Sequence, residues 1–404
     1  MDIYTHGGNA RRHFAELYGK STYAQFIRYQ KLVYNFKKQY NHSDCYLLSS
    51  SGRVEFCGNH TDHNGGRVIG CSVNLDIVGA FKANNGGVVR IQSAKHSAIE
   101  FTVGESALQG GAAIAQNVIN YLLENGYNAG GFDLYTDSLV LNGAGISSSA
   151  AYEMLIANIV NELFNGGVIQ DDVLAKAGQY AEQVSLNKPC GLLDQGAVLS
   201  GGMTEFDFKD GFACKRLNAR TDGIKLVLID TGKSHANLSH LYAAIPSDMY
   251  DVAKCFGADR LIDVKEDDFY NNFDKTVKAV GLGKANRAKH FFEENARVDR
   301  LSVALEQGNV EEIIRIVNQS GDSSINLLRN CAVDENDTAI SDAVTFARSL
   351  GNVGARVHGG GFAGTVLCVI PSGIFAEVFA ALCAKYGESK ILPMRIRPVG
   401  VKIL

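Results

Sequence analysis

Asn142-Gly-Ala-Gly-Ile-Ser-Ser-Ser-Ala-Ala151 joins a glycine-rich turn to three serines and the start of an apolar segment. Glycine lacks a Cβ and tolerates positive φ, so the backbone of this turn can approach a ligand closely. The serines stand where a helix would begin, and there unpaired backbone N–H groups and the positive end of the helix dipole attract anions. The stretch therefore predicts a phosphate-binding loop, although its spacing alone also fits a plain turn with a serine N-cap.

The segments around this loop indicate a mixed fold. Apolar residues after Ala151 recur at three- and four-residue intervals, which is typical of a helix with a buried face. Helical patterns also cover residues 10–40 and most of the second half, whereas residues 45–48 and 54–57 read as two short strands. Because strands and helices are interleaved without a regular βαβ order, we predict an α+β fold.

Length and composition set the remaining limits. A chain of 404 residues exceeds what one hydrophobic core usually holds, so we expect two domains, residues 1–213 and 214–404. The net charge of −4 argues against binding to nucleic acid or an anionic membrane surface. We find no apolar run of the roughly 20 residues that span a bilayer, and no signal peptide. An odd number of scattered cysteines favours reduced thiols in the cytoplasm.

Residues 58–66 form a polar cluster between glycines that no core could bury without partners. His60, Asp62 and His63 could be metal ligands. His60 and Asp62 would share one face of an extended segment, but a third or fourth ligand at zinc spacing is not evident. They could also be solvated loop residues. We favour a third interpretation, in which the cluster hydrogen-bonds a small polar ligand and Arg53 supplies positive charge.

Asp194 follows a chain-breaking segment that contains Pro189, and it has two interpretations. It could cap the turn and pair with a nearby cation. It could also act as a base beside bound phosphate. The surroundings shift the pKa of structural and of catalytic carboxylates alike, so both interpretations stay open.

Gly359, Gly361 and Gly364 match the dinucleotide-binding pattern G-x-G-x-x-G in form only. That pattern requires a helix directly after the glycines, whereas residues 365–370 read as a strand. We therefore reject a dinucleotide site here.

Taken together, the motifs resemble those of one enzyme family. Gly52-Arg-Val-Glu-Phe-Cys-Gly-Asn-His-Thr-Asp-His-Asn-Gly65 resembles the galactokinase signature, and residues 143–151 resemble the phosphate-binding motif of the GHMP small-molecule kinases. Residues 359–364 resemble the third, C-terminal glycine motif of that family. Residues 181–183 and 189–195 are similar to the galactokinase stretch around the catalytic aspartate, and His235 with Tyr242 to the segment that places a tyrosine on the sugar. The resemblance covers the chain from about Cys45 onward but not the first 40 residues.

The resemblance implies a two-domain GHMP kinase with its active site in the cleft between the domains. The activity it implies is ATP-dependent phosphorylation of the anomeric hydroxyl of galactose, with ATP as co-substrate and Mg²⁺ as metal. The expected partners are a sugar and ATP, with no nucleic acid or membrane, for a cytoplasmic monomer or weak homo-oligomer.

The resemblance also assigns roles to individual residues. Asp194 would accept the proton of the sugar hydroxyl, and Arg53 would hold that carboxylate in its charged form and stabilise charge at phosphorus. Mg²⁺ would be held by Ser149 and Glu182. The ATP phosphates would be bound by Gly143, Ala144, Gly145, Ile146, Ser147, Ser148 and Ser149. The sugar would be bound by Asn59, His60, Asp62 and Tyr242, with Asp62 discriminating the configuration at C4.

Three departures from the galactokinase pattern concern the sugar. Galactokinases usually have Glu where this chain has Asn59, and that Glu is associated with the 6-hydroxyl. Asn59 therefore suggests relaxed specificity at position 6 of the sugar, or a substrate with a carboxylate there, as in galacturonic acid. Ser51 replaces the usual proline, and the arginines that commonly follow the sugar tyrosine are absent. A catalytically silent sensor of sugar and ATP is a further alternative, but the serine loop and Asp194, whose loss would mark such a sensor, are intact.

Overall fold

The computed structural model describes residues 9–19, 22–94, 96–105, 108–140, 145–186, 190–232, 238–362 and 364–404. Gly143 and Ala144 of the expected ATP loop, and His235, lie outside these residues.

Helices form the larger share of the structure. Their bounds are α1 Asn9–Tyr18, α2 Tyr23–Tyr40, α3 Gly110–Glu124, α4 Ser148–Asn165, α5 Asp171–Leu186, α6 Leu193–Ser200, α7 Ser239–Lys254, α8 Glu266–Asn271, α9 Phe273–Val280, α10 Leu282–Gln307, α11 Val310–Ser323, α12 Ala339–Ser349 and α13 Phe375–Tyr386.

Strands alternate with these helices in chain order. Their bounds are β1 Tyr46–Cys57, β2 Arg67–Ala83, β3 Val88–Ser93, β4 Ile99–Thr102, β5 Phe132–Ser138, β6 Met203–Asp207, β7 Ala213–Arg216, β8 Ile224–Asp230, β9 Gly354–His358, β10 Thr365–Pro371, β11 Ile391–Met394 and β12 Lys402–Ile403. The mixture of sheets and helices confirms the predicted α+β class.

The larger sheet has the order β12-β1-β2-β5-β3-β4, with β6 and β7 continuing from β2. Its pairs are antiparallel except β3 with β5. The smaller sheet has the order β11-β8-β10-β9. Although β12 is the last strand, it pairs with β1, so the C-terminal residues return to the sheet formed by the first half of the chain.

The expectation of two short strands at residues 45–48 and 54–57 was wrong, because β1 is continuous through the serines between them. Two of the three buried serine hydroxyls are hydrogen-bonded: Ser49 donates to Asp76, and Ser51 donates to the carbonyl of Val198. The Ser50 hydroxyl has no hydrogen-bond partner among the described residues. The serines stay in the strand because their backbone pairs with residues 76–78 of β2. The irregularity appears instead as a register shift between Ser51 and Gly52.

Helices α1 and α2 form a hairpin that packs on the larger sheet. Phe14, Leu17, Tyr29, Leu32 and Phe36 make an apolar cluster with residues of β2. The hairpin is also attached by a buried charge, because Arg28 donates to both Asp76 and Asp137. The segment that the sequence resemblance left unexplained is therefore an integral layer of the fold.

No helix in the described ranges combines the length and the apolarity that crossing a membrane requires.

Candidate active site

A cavity of about 360 Å³ lies where loops from both halves of the chain meet. Its walls include members of all the motifs singled out above. The lining residues are Arg53, Glu55, Gly58, Asn59, His60, Asp62, His63, Gly145, Ser147, Ser148, Ser149, Cys190, Gly191, Leu193, Asp194, Ser239, Tyr242, Pro246, His358, Gly359 and Gly360.

Arg53 and Asp194 form a bidentate ion pair in this cavity. Arg53 Nε donates to Asp194 Oδ1 at 2.8 Å, and Arg53 NH2 donates to Oδ2 at 2.9 Å. Arg53 projects from β1, whereas Asp194 lies in the first turn of α6, where the helix dipole favours a carboxylate. The arginine is 6% exposed and the aspartate 26%, so the carboxylate is the accessible member of the pair.

The serine loop closes onto the same carboxylate. Ser147 adopts a left-handed backbone with φ of 54°, which non-glycine residues rarely use, and its hydroxyl donates to Asp194. Helix α4 begins at the next residue without a side-chain cap bond, and Ser148 and Ser149 of its first turn line the cavity. Arg53 also donates to the carbonyl of Gly145. The loop expected to bind phosphate thus contacts the ion pair directly.

Ser149 and Glu182 lie together beside this loop. Ser149 donates to Glu182 Oε1 at 3.2 Å, and Glu182 is only 1% exposed. Gln195 bridges Glu182 and the buried Glu153, with contacts of 3.4 and 2.8 Å. One hydroxyl and one carboxylate oxygen suit Mg²⁺, which is commonly held by one or two protein ligands together with substrate phosphates and water. The described residues hold no group of three or more His, Cys, Asp or Glu side chains that could bind a metal ion.

His60, Asp62 and His63 also line the cavity. Burial lowers the pKa of His60 to about 3 and that of His63 to about 4, so both imidazoles are neutral near pH 7. Burial raises the pKa of Asp62 to about 6, with His60 opposing the shift and the charge of Asp194 adding to it. These residues therefore offer neutral donors and acceptors beside one titratable carboxylate.

Asp62 fits against Gly191 with no room for a side chain. A Cβ on Gly191 would lie 1.5 Å from Asp62 Oδ2, so only glycine leaves that carboxylate its position. Gly191 precedes Asp194 by three residues, and the sugar-signature loop is thus in contact with the loop that carries the expected base.

Asn59 is buried, and its side-chain amide is hydrogen-bonded to other protein groups. Its Nδ2 donates to Glu55 Oε1 and to the carbonyl of Gly359, both at 2.9 Å, and its Oδ1 accepts from Asn330 at 2.8 Å. Asn59 is 1% exposed. It is therefore placed at the cavity with both amide hydrogens already committed.

The third glycine motif forms the wall next to Tyr242. The tyrosine hydroxyl donates to the carbonyl of Gly361 at 3.0 Å, and a Cβ on Gly360 would lie 2.6 Å from the Tyr242 ring. His60 contacts the carbonyl of Gly360 at 2.9 Å. The glycine motif at 359–364 thus contacts Tyr242 and His60, two residues expected to bind the sugar, and a strand follows it as predicted.

Glu55 and His358 are cavity residues that the sequence analysis did not single out. Glu55 lies two residues after Arg53 on β1, and alternate residues of a strand share a face. This spacing from Arg53 is the sequence feature that could have indicated that Glu55 lies at the site. His358 Nε2 accepts from the backbone N–H of Glu55 at 3.2 Å, a contact between residues 303 apart in the chain.

The geometry can support proton transfer and the binding of an anion. A carboxylate reachable from the cavity is oriented by an arginine, and a helix N-terminus with serine hydroxyls lies beside it. This combination suits transfer of a phosphoryl group to a hydroxyl, in which the protein mainly positions reactants and neutralises charge.

Two family models match the chain. The galactokinase galactose-binding signature matches residues 34–83, and the GHMP kinases N terminal domain matches residues 113–202. The first range contains Arg53 and the polar cluster, and the second contains the serine loop and Asp194. The two matches therefore cover most of the residues that meet at the cavity.

Two galactokinases are similar in sequence to this chain over most of their length. The galactokinase of Clostridium tetani is 27% identical over 350 residues, covering 84% of this chain and 88% of that protein. The galactokinase of Streptomyces coelicolor is 28% identical over 347 residues, covering 83% and 87%.

Solved structures share the fold. The Lactococcus lactis galactokinase complexed with galactose superposes with a TM-score of 0.82 at 22% identity, covering 93% of this chain and 100% of that one. The Methanococcus jannaschii mevalonate kinase superposes with a TM-score of 0.63 at 15% identity, covering 88% and 99%. The fold is that of the GHMP kinases, as the sequence resemblance implied.

Proposed function

Because this chain has the GHMP kinase fold and carries the galactose-binding signature of galactokinases, we propose that it phosphorylates the anomeric hydroxyl of galactose with ATP. The observation that carries the proposal is the bidentate contact of Arg53 with Asp194 at the foot of the serine loop. Residues 141 positions apart meet there, at the one carboxylate–arginine pair that lines the described part of the cavity.

In the proposed reaction the anomeric oxygen attacks the γ-phosphorus of ATP. An O–P bond forms to the sugar, the bond between the γ-phosphorus and the bridging oxygen breaks, and ADP leaves with the electron pair. The hydroxyl proton passes to Asp194, and the guanidinium of Arg53 stabilises the negative charge on that carboxylate and near phosphorus.

We assign ATP binding to Gly143, Ala144, Gly145, Ile146, Ser147, Ser148 and Ser149. The start of α4 at the cavity supports this assignment, because a helix N-terminus is a favourable site for phosphate oxygens. Ser149 and Glu182 would hold Mg²⁺, which supplies charge neutralisation to the phosphates when bound. The sugar would contact His60, Asp62 and Tyr242 beside Asn59. The domains at residues 1–213 and 214–404 remain part of the proposal, as do a cytoplasmic location and a monomer or weak homo-oligomer.

Galactose fits the cavity better than galacturonic acid does. In the described part of the lining, Arg53 is the only permanently charged cation, and Asp194 already pairs with it. His60 and His63 are neutral near pH 7, because burial lowers the pKa of each. A sugar carboxylate would therefore be desolvated without a countercharge, which is costly. No observation favours the uronic acid alternative raised by Asn59.

The test is to identify the product. The protein is incubated with ATP, Mg²⁺ and galactose, galacturonate or glucuronate, and the products are assigned by ³¹P and ¹H NMR. We expect galactose 1-phosphate and one equivalent of ADP from galactose, and little turnover of either uronate. A protein that binds galactose and ATP but forms no sugar phosphate would be a sensor rather than a kinase, and the proposal would be wrong.

A further inference from the structure

Glu55 is a carboxylate at the cavity to which the proposed mechanism gives no role. It follows Arg53 by two positions on β1, so the two side chains project from the same face of the strand. Glu55 lines the cavity, and its side chain is 6% exposed. A nearly buried carboxylate in contact with a ligand cavity requires a physical reason, because burial without partners is costly.

One oxygen of this carboxylate is held by the protein. Glu55 Oε1 accepts from Arg356 NH2 at 2.8 Å and from Asn59 Nδ2 at 2.9 Å. Arg356 is fully buried and, as an arginine, remains charged. Burial raises the pKa of Glu55, whereas the charges of Arg356 and Arg53 oppose that shift. The buried arginine thus supplies the countercharge that an ionised Glu55 needs.

The other oxygen, Glu55 Oε2, receives no hydrogen bond from any described residue. An ionised carboxylate accepts hydrogen bonds at both oxygens and donates none. Its natural partner in a sugar cavity is a hydroxyl, and hydrogen bonds to charged acceptors are among the stronger ones. A sugar hydroxyl would satisfy Oε2 while Arg356 and Asn59 keep Oε1.

Asn59 orients this carboxylate. Its two amide hydrogens bind Glu55 and the carbonyl of Gly359, and Asn330 binds its oxygen. The amide therefore has no hydrogen left for a ligand, although it lies in the sugar signature. Asn59 and Arg356 thus hold the same oxygen, Glu55 Oε1, and together fix the position of the carboxylate.

We propose that Glu55 is a specificity-determining residue that accepts a hydrogen bond from a hydroxyl of the sugar, with Asn59 as its positioning residue. The inference rests on the proposed sugar kinase function and adds to it a negatively charged sugar contact. It also accounts for the absence of a carboxylate at position 59, because the neighbouring Glu55 already places one at this wall.

The test compares enzyme variants and sugars in one matrix. Values of kcat/KM are measured for galactose and its 2-, 3-, 4- and 6-deoxy analogues with the unaltered protein and with Glu55→Gln. Glutamine keeps the shape of the side chain and one oxygen for Arg356 and Asn59. For each hydroxyl, the loss of kcat/KM on its removal is compared between the unaltered protein and Glu55→Gln. The ratio of the two losses measures the interaction of residue 55 with that hydroxyl, as in a double-mutant cycle.

We expect one hydroxyl position to stand out. Its removal lowers kcat/KM of the unaltered protein by about 10- to 100-fold, and in Glu55→Gln this loss shrinks by roughly tenfold or more. The other positions show equal losses in both proteins. Equal losses at every position, within about threefold, would overturn the inference, since such a difference is less than the energy of one hydrogen bond.

A matched control and a second variant keep the result interpretable. Glu205→Gln makes the same chemical change outside the cavity lining, next to Arg67, and should leave the matrix unchanged. If Glu55→Gln unfolds because Arg356 loses its countercharge, Glu55→Gln with Arg356→Met removes the buried pair together, which proteins often tolerate. The same set of kcat/KM measurements on this double variant then tests the inference.

The two proposals fail in different ways. If the unaltered protein phosphorylates no galactose, the proposed function is wrong, and the inference is wrong with it. If galactose is phosphorylated but no hydroxyl is coupled to residue 55, the inference alone is wrong.

Discussion

Asp194 and Asp76 are both aspartates held by arginines, and β1 contributes to the surroundings of each. Asp194 is 26% exposed and pairs with Arg53 at the cavity. Asp76 is fully buried near the α1–α2 hairpin, where it accepts from Arg28 at 2.6 Å and from Arg397 at 3.3 Å.

The two carboxylates differ in what surrounds their oxygens. Asp76 also accepts from the hydroxyls of Tyr18 and Ser49, so donors from the hairpin, from β1 and from the C-terminal segment converge on it. Asp194 lines the cavity and is partly exposed, so under the proposed function a sugar hydroxyl would replace or join the serine donor. An aspartate held by arginine is thus structural at Asp76, where the carboxylate is fully buried. It is suited to catalysis at Asp194, where the carboxylate stays accessible.

The largest expected effect comes from removing the accessible carboxylate. Asp194→Asn keeps the shape of the side chain but cannot accept the hydroxyl proton, so we expect kcat to fall by about 10³- to 10⁴-fold. The thermal unfolding midpoint should fall less than in Asp76→Asn, because Asp194 is 26% exposed and the asparagine keeps an oxygen for Arg53. Steady-state kinetics and a thermal melt of the same preparation check both expectations. Activity within about tenfold of the unaltered protein would remove Asp194 from its assigned role, because general-base catalysis contributes more than that.

The opposite pattern is expected at the sealed carboxylate. Asp76→Asn leaves Arg28 and Arg397 without their shared countercharge in the interior, so the free energy of unfolding should fall by about 3 to 5 kcal/mol. The kcat of the folded fraction should be unchanged. Urea denaturation measures the first quantity. The control is Asp137→Asn, which removes the 28%-exposed partner of the same Arg28 and should cost less.

An intermediate effect is expected at the proposed metal ligands. Glu182→Gln removes a negative charge next to Ser149, so the Mg²⁺ concentration for half-maximal activity should rise by about 10- to 100-fold. The KM for galactose should stay the same, since Glu182 is not among the residues assigned to the sugar. A magnesium titration at saturating ATP and galactose measures the change. An unaltered magnesium dependence would exclude Glu182 as a ligand.

The smallest expected effect is the pH dependence of sugar binding. Burial and the charge of Asp194 raise the pKa of Asp62 to about 6, so Asp62 is charged above that pH and protonated below it. The KM for galactose should therefore rise as the pH falls, reaching about a tenfold increase at pH 5, one unit below the pKa. In Asp62→Asn this dependence should disappear while the KM is high at every pH. Kinetics from pH 5 to 8 test this, and a flat profile in the unaltered protein would contradict it.

Much of the candidate site could be predicted from the sequence, because its motifs are short and chemically distinctive. The glycine–serine loop, the polar cluster and Asp194 are each recognisable within about ten residues, and the structure places their described members at one cavity. The α+β class followed in the same way, from local periodicity. The assigned roles of individual residues stay predictions.

Other features could not be predicted, because they depend on residues far apart in the chain. The serines at 49–51 lay between two predicted short strands, and they belong to one continuous strand because their backbone pairs with residues 76–78 of β2. Glu55 looked like an ordinary strand residue, and its contact with Arg356 spans 301 positions. No local pattern records such a partner.

The sequence by itself determined the local chemistry: where the backbone can turn, where a helix exposes its N–H groups, and which side chains can accept a proton. Only the tertiary structure decided which arginine meets which carboxylate, and which carboxylate is sealed. The physical reason is that the state of a charged group depends on its burial and on its neighbours in space. Those neighbours come from strands and helices that the sequence separates by hundreds of residues.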